Sequence, residues 1–568
     1  MKKIISVFLA AVLLITALSV AMTASAKDDS LKIAVASDLH FNLPREELEG
    51  PIDDEIYWYA NRRAAMEDES GFIIDEFLRQ CAEDESIEYV LISGDLVDNG
   101  RTIIEEHYAV AEKLRKFEEE SGKDVFIING NHDFGNGVDC TGVEDFVSIY
   151  ADFGYDKAIE KVDGTCSYTA DLGAKYRLIA LDSCKYTEST VDGLTADRVN
   201  WALEQADKAY ADGRYPILMM HHNLLDHMPL QRIFSHDFIV RNHFTTADRF
   251  ADAGIKVVFT GHEHCSDAAV HISPAGSKIY DFATTSLTMY PLQYRVFNFT
   301  ENEITYEAAT VDSIDTEALT KAVGGYSDAQ LALMKEGLNA YGKGFLKKGV
   351  EYRLALSLSM EKIGIAEGEA FYDLVYTAVT GLTDLLEMPL YGEGGVQEYA
   401  KKFNIDIPDS EYKNGWDLAT DLVAAHYEGE EHFDIYGTEV TILLRMVDLI
   451  LLSDLSGVND KVFLGAANKL LENLGTDGIS TELTSLGAKV FGPVTAGEYF
   501  LLAVAAPILH VFANDDDGVN DNSGAFPGYG SENAKLDNVV EKLTNIFERI
   551  SLYFSFFIHY ILKLLRIA

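Results

Sequence analysis

Between Leu31 and Val311 the chain repeats one pattern: a short apolar run rich in β-branched residues, a polar tip, then an amphipathic stretch of helical period. The runs are Lys32–Ala36, Tyr89–Ile92, Val125–Ile128, Arg177–Leu181, Ile217–Met220 and Lys256–Phe259. Near-continuous apolar runs of this length read as strands buried on both faces, and such strands need helices on either side. Gly71–Ala82 and Glu105–Glu120 supply helical candidates between them, and Gln293–Val311 reads as a closing hairpin. The expected class is α/β, layered rather than a barrel of hairpins. Beyond Asp312 the texture changes to long segments of Leu, Ala, Glu and Lys, as in Asp328–Asn339, Val350–Ile363 and Thr438–Leu452, which predicts a mostly helical second domain.

The ends of the chain read differently. Residues 1–26 carry Lys2 and Lys3, an apolar run from Ile4 to about Val20, and Ala24-Ser25-Ala26, the pattern of a secretory signal peptide, so the mature protein is expected outside the cytoplasm. Residues 514–536, acidic and glycine-rich, are expected to be a solvated linker, because Asp515, Asp516 and Asp517 do not align with a calcium loop. Residues 537–568 are expected to form an apolar amphipathic helix. Its uncharged run Ile550–Leu562 falls short of the about 20 residues a span needs, so contact with a membrane surface or docking on the protein is preferred. Five cysteines, Cys81, Cys140, Cys166, Cys184 and Cys265, are too few for a disulfide scaffold and read as small core residues.

The polar tips carry the chemistry. The first run is followed by Asp38-Leu39-His40, the second by Gly94-Asp95 and then Asp98, the third by Gly130-Asn131-His132-Asp133, the fifth by His221-His222, and the sixth by Gly261-His262-Glu263-His264. Alternation along an extended segment would point Asp38 and His40 to one side, and His262 and His264 likewise. Mixed imidazole and oxygen donors without thiolate suit Zn, Mn, Fe, Co or Ni. The composition agrees with a metal site. With 46 Lys and Arg against 92 Asp and Glu, the net charge is −46, which repels nucleic acid, so no nucleic-acid-binding surface is expected and any positive field for a phosphate has to come from bound cations.

Taken together, these five blocks resemble the ordered motif set of the calcineurin-like metallophosphoesterases, over about Lys32–Val311. The resemblance implies a four-layer β-sandwich flanked by helices within residues 27–311; the helical domain expected over 312–513 lies outside it. It further implies two divalent or trivalent transition-metal ions, one held by Asp38, His40, Asp95 and His264 and the other by Asp95, Asn131, His221 and His262. His132 then corresponds to the residue that meets the phosphoryl group and assists the leaving oxygen, paired with a carboxylate matching Asp98. Asn131 and His132 are the expected substrate contacts, and His222 is expected either to face the substrate or to stand behind the ligands. The implied activity is hydrolysis of phosphomonoesters or phosphodiesters by hydroxide held between the two ions. A catalytically silent phosphate- or envelope-binding protein and a phosphodiesterase acting on lipid head groups at a membrane surface are the alternatives. The insert Leu224–His243, with His227, His236 and His243, reads as a solvated loop. Tyr57, Trp58 and Tyr59 read as packing residues.

Overall fold

A computed structural model describes residues 30–43, 65–135, 141–184, 193–228, 231, 237–429, 431, 433–434, 437–458, 462–463, 465–466, 469 and 519–530. The signal-peptide segment, Tyr57 to Tyr59, Cys140, His236, residues 514–518 and 531–536 of the acidic stretch and the apolar C-terminal segment lie outside the described residues.

Every strand and helix expected between the first block and the hairpin is present, displaced by at most two residues. The order is β1 (Leu31–Ala36), α1 (Ser70–Glu83), β2 (Tyr89–Ile92), α2 (Ile104–Ser121), β3 (Asp124–Ile127), α3 (Val143–Ile149), β4 (Glu160–Lys161), β5 (Tyr168–Leu172), β6 (Tyr176–Ala180), α4 (Ala196–Ala211), β7 (Tyr215–Met219), α5 (His243–Asp252), β8 (Val257–Thr260), β9 (Asp267–Ile272), β10 (Lys278–Ala283), β11 (Gln293–Phe299) and β12 (Glu303–Thr310). The helical region follows as α6 (Thr316–Ala322), α7 (Asp328–Glu336), α8 (Leu338–Ser357), α9 (Met360–Ile363), α10 (Tyr372–Glu387), α11 (Val396–Ala400), α12 (Gly415–Glu428) and α13 (Thr438–Leu452), and β13 (Ser523–Pro527) closes the series.

The strands make two mixed sheets, ordered β13-β12-β11-β1-β2-β3 and β4-β5-β6-β7-β8-β10-β9. Strands β1, β2 and β3 run parallel, as do β6, β7, β8 and β10, whereas hairpins supply the antiparallel neighbours. Period-two alternation decides which side chains meet. Leu178, Ile217, Met219, Val257 and Phe259 face the interior between the sheets, while Ile179, Leu218 and Val258 turn outward against α4 and α5. Phe297 of the first sheet touches Phe259 and Phe282 of the second, with ring centroids 4.7 and 4.9 Å apart. Each such buried ring contributes about 1.5–3 kcal/mol of transfer free energy. Helices α1 and α2 cover the other face of the first sheet through Ile73, Phe77, Val110 and Leu114, which gives helix, sheet, sheet and helix layers.

Two sequence expectations change in the helical region. The stretch Asp328–Asn339 is split at Gly337, because Asp312 caps a new helix there: its carbonyl accepts the Leu338 N–H at 2.9 Å and its carboxylate the Asn339 N–H at 2.9 Å. Val350–Ile363 is likewise divided, with Ser359 acting as the N-cap of α9. The region has its own core around Trp416, Leu422, Leu443 and Met446. It also packs on the sandwich, where Leu346 of α8 and Ala424 of α12 bury Met289 and Tyr290. Among the described residues no helix is long and apolar enough to cross a membrane.

The expectation of a solvated linker over 514–536 fails for its described part. Residues 523–527 pair antiparallel with β12, from Glu303↔Pro527 to Glu307↔Ser523, and so form the edge of the first sheet. Lys256 Nζ donates to the Gly528 carbonyl at 2.7 Å, and Tyr529 stacks on Tyr215 with centroids 4.9 Å apart. Gly, Ser and Pro give such a segment the composition of a loop, but an edge strand needs only one free ladder, and β12 provides it.

Candidate metal centre

All seven residues expected as ligands converge where β1, β2, β3, β7 and β8 end. They fall into two groups that share one atom. His40 Nε2 lies 3.7 Å from Asp38 Oδ1, 3.7 Å from Asp95 Oδ2 and 3.1 Å from His264 Nε2, and His264 Nε2 lies 3.2 Å from Asp38 Oδ1. On the other side, His221 Nε2 lies 3.3 Å from Asp95 Oδ2, 3.1 Å from His262 Nδ1 and 3.1 Å from Asn131 Oδ1. Donor atoms about 2.0–2.1 Å from one cation must stand about 3 Å from one another, which is the spacing found.

Hydrogen bonds behind the rings fix which nitrogen faces inward. His221 Nδ1 sits 3.0 Å from the Ser93 carbonyl, which can only accept, so Nδ1 carries the proton and the Nε2 lone pair points into the site. His40 Nδ1 donates in the same way to Asp98 Oδ1 at 2.9 Å, and His264 Nδ1 faces Met289 Sδ at 3.1 Å, a weaker acceptor. The inward carboxylate oxygens, Asp38 Oδ1 and Asp95 Oδ2, are buried and have no hydrogen-bond partner among the described residues. Their outward oxygens are satisfied: Asp38 Oδ2 accepts from Ser37 Oγ at 2.5 Å and His262 N at 2.9 Å, and Asp95 Oδ1 accepts from His132 N at 2.7 Å. Buried anionic oxygens left bare in this way are costly unless a cation joins them. The residues present therefore fit a pair of metal ions.

The loops that deliver these groups are strained. Asp38, His40, Asp95, His262 and His264 have φ of 49°, 39°, 48°, 70° and 64°. Non-glycine residues avoid this region, at a cost of about 1–3 kcal/mol each. Asp38 with His40, and His262 with His264, therefore do not share a side through strand alternation. Each pair shares it because the backbone has left the strand and coiled. Lacing between loops holds the coil: Asp38 N donates to Gly94 O and His40 N to Asp95 O, both at 3.0 Å. Asp133, a residue without an expected role, ties the second and third loops together by accepting from Gly130 N at 2.6 Å and Val97 N at 3.3 Å.

Asp98 and His132 meet differently from the sequence reading. The Asp98 carboxylate is closest to His40, and His132 Nδ1 instead meets the Asp98 carbonyl at 2.9 Å, with the carboxylate at 3.6 Å. One residue thus orients two imidazoles, a task no local motif announces. His222, expected either at the substrate or behind the ligands, is 1% exposed; its Nδ1 meets Ser183 Oγ at 2.9 Å and its ring packs 4.5 Å from that of His262, so it backs this ring from inside. His227 is not a solvated loop histidine either: it is 1% exposed and lies between the carboxylates of Asp267 and Asp281. Arg101, which the motif did not single out, forks onto the Asn131 carbonyl with Nε at 2.9 Å and Nη2 at 2.6 Å and so fixes that loop.

Residues 31–266 match the family model of the calcineurin-like phosphoesterases. This part of the chain is a calcineurin-like phosphoesterase domain. It makes the protein a metal-dependent phosphoric ester hydrolase, and the clusters Asp38/His40/His264 and Asp95/His221/His262 are where His and Asp donors gather within reach of a metal ion. Among solved structures, the chain is similar to a dimetal phosphatase from Danio rerio (11% identity, covering 49% of this chain and 95% of that one, TM-score 0.36) and to PhoD (11%, 50% and 69%, TM-score 0.32). It is also similar to a phosphopantetheinyl hydrolase from Mycobacterium tuberculosis (11%, 45% and 90%, TM-score 0.23). No curated protein matches the chain.

Electrostatics of the phosphoesterase centre give two expected results. Burial pulls the His40 imidazole down, but Asp38, Asp98 and Asp95 outweigh it and raise its pKa to about 10; burial likewise opposes Asp95 and Asp38 at His221, which rises to about 9. Without cations the carboxylates recruit protons onto these rings, and a metal ion has to displace them. Metal uptake is therefore expected to release protons, and affinity to climb with pH up to about 9–10, as calorimetry in buffers of different ionisation enthalpy would record. Flat affinity between pH 6 and 9 would count against it. Asp98→Ala, which frees the His40 ring, is expected to weaken metal retention by about ten- to hundredfold, measured by competition with a chromophoric chelator.

Proposed function

We propose that the protein is an exported dinuclear phosphoesterase acting on phosphomonoesters or phosphodiesters. Asp38, His40, Asp95 and His264 hold one transition-metal ion and Asp95, Asn131, His221 and His262 hold the second. The observation that carries this reading is the position of Asp95 Oδ2, a bare buried oxygen shared by both groups of donors. When bound, the two ions supply Lewis acidity at the phosphoryl group and water of lowered pKa.

The chain's own groups do the remaining work. His132 is 21% exposed at its side chain, and with Nδ1–H committed to the Asp98 carbonyl its Nε2 is the nitrogen that can protonate the departing oxygen. Asn131 turns its amide oxygen towards His221, which leaves the amide nitrogen to donate to a phosphoryl oxygen. No nucleophilic side chain is needed. Export rests on Lys2, Lys3, the apolar run and Ala24-Ser25-Ala26, and sequencing of the mature N-terminus is expected to begin at Lys27.

The test uses full-length protein, stripped with chelator and reloaded with Mn, Zn, Fe, Co or Ni separately. Release of nitrophenol from the mono- and bis-nitrophenyl phosphates should vanish on stripping and return on loading. Protein that holds two ions yet hydrolyses neither ester would be the silent binding protein instead. The ratio of the two rates assigns the ester class.

A further inference from the structure

We propose that Asp521 and Asn522, far from the motif blocks in sequence, are positioning residues for the loop that carries His262 and His264. The inference rests on the dinuclear reading above and gives the C-terminal part of the chain a task in it.

The loop leaves β8 at Gly261 and enters β9 at Asp267. Its far end is held by two remote segments. From α12, the Tyr427 carbonyl accepts the Ser266 N–H at 3.1 Å. From the segment before β13, Asn522 Oδ1 accepts from Ser266 Oγ at 3.1 Å, while Asn522 Nδ2 donates to the Glu428 carbonyl at 2.9 Å. Asp521 Oδ1 accepts the Ala268 N–H at 2.8 Å. Arg295, 1% exposed, joins the pieces by donating to Ser266 Oγ at 2.9 Å and to the carbonyls of Asp267 and Asp521 at 3.2 Å each. The approach is close enough that Gly429 has φ of +71° and any Cβ there would run into the Ser266 carbonyl. Ser266, Asp267 and Ala268 are essentially inaccessible, so water does not substitute for these bonds.

Two features make the loop depend on this clamp. His262 and His264 both hold left-handed backbone conformations, which persist only where the surroundings over-determine them. His264 also lacks the rigid support that His40 and His221 receive. His40 is locked by a carboxylate and His221 by a carbonyl, but among the described residues His264 Nδ1 meets only the thioether of Met289, so its aim follows its backbone. Donor placement within about 0.5 Å decides whether a metal site is filled. The 519–530 segment can transmit such accuracy because β13 is paired along β12 and Tyr529 is stacked on Tyr215.

The experiment measures retention of Mn and Zn by full-length wild type and variants, with metal-dependent hydrolysis of nitrophenyl phosphate read alongside. Asp521→Ala and Asn522→Ala are expected to weaken one of the two ions by about ten- to hundredfold, the range of an outer-sphere partner. Excess metal should restore kcat with KM for the ester unchanged. Asp521→Asn keeps an oxygen for the Ala268 N–H but loses the negative charge beside the buried Arg295, so it should fall between wild type and Asp521→Ala. If Asp521→Ala folds poorly, Ser266→Ala, which removes one hydroxyl from the same clamp, carries the measurement. Variants that keep both ions as tightly as wild type would overturn the proposal alone. Wild type that retains no transition metal would overturn it together with the dinuclear reading.

Discussion

Asp95→Asn is expected to lower kcat/KM by at least about 10³-fold while leaving the fold intact. Loss of a single oxyanion donor costs about 10²–10³-fold, and in the proposed centre one oxygen would serve both ions. The amide can keep the outward contact, because Oδ1 accepts the His132 N–H at 2.7 Å and an amide oxygen can do the same. It cannot replace Oδ2, which faces His40 at 3.7 Å and His221 at 3.3 Å. An NH₂ group there would point two hydrogens at the cations. Elemental analysis should show fewer than two ions per chain, and circular dichroism should match wild type. A variant with two ions and activity within tenfold of wild type would remove Asp95 from the centre of the mechanism.

Gly130→Ala is expected to cost about 3 kcal/mol or more in stability and to abolish metal binding, at the upper end of overpacking effects. A Cβ at Gly130 would run into the carboxylate and backbone nitrogen of Asp95, with the carboxyl carbon only 2.7 Å away. Asp95 has nowhere to withdraw, since its carbonyl accepts from His40 N at 3.0 Å and Gly130 itself donates to Asp133 at 2.6 Å. Gly344→Ala is the matching control. Its Cβ would meet open space within α8, so the same change should stabilise by about 0.5–1 kcal/mol. Comparing unfolding midpoints and metal content of the two variants checks both statements; equal behaviour would show that the Gly130 crossing is not tight.

Much of the phosphoesterase domain is legible along the chain because its signals are local. An apolar run followed by Gly-Asp or Gly-Asn-His declares a buried strand and its polar tip within ten residues, and the hairpin Gln293–Val311 is declared by its own alternation. The seven candidate donors follow from the resemblance of the ordered blocks to the calcineurin-like metallophosphoesterases. Their geometry does not. Asp38 and His40 share a side through a left-handed coil instead of strand alternation, and that coil exists only because loops from other strands lace it.

What tertiary structure decided lies where partners are distant in sequence. Asp98 reads as a partner for His132, yet packing places its carboxylate on His40, 58 positions away. His222 stands beside a ligand in sequence, but the sheet turns it inward behind His262. Residues 519–530 have the composition of a linker, and they become an edge strand and a clamp because β12 offers a ladder and Ser266 and Ala268 offer hydrogen-bonding groups more than 250 positions away. Short-range periodicity sets which residues can be strand, helix or donor. Only closure of the two sheets, which brings separate loops within hydrogen-bonding distance, sets which donor each buried acceptor receives.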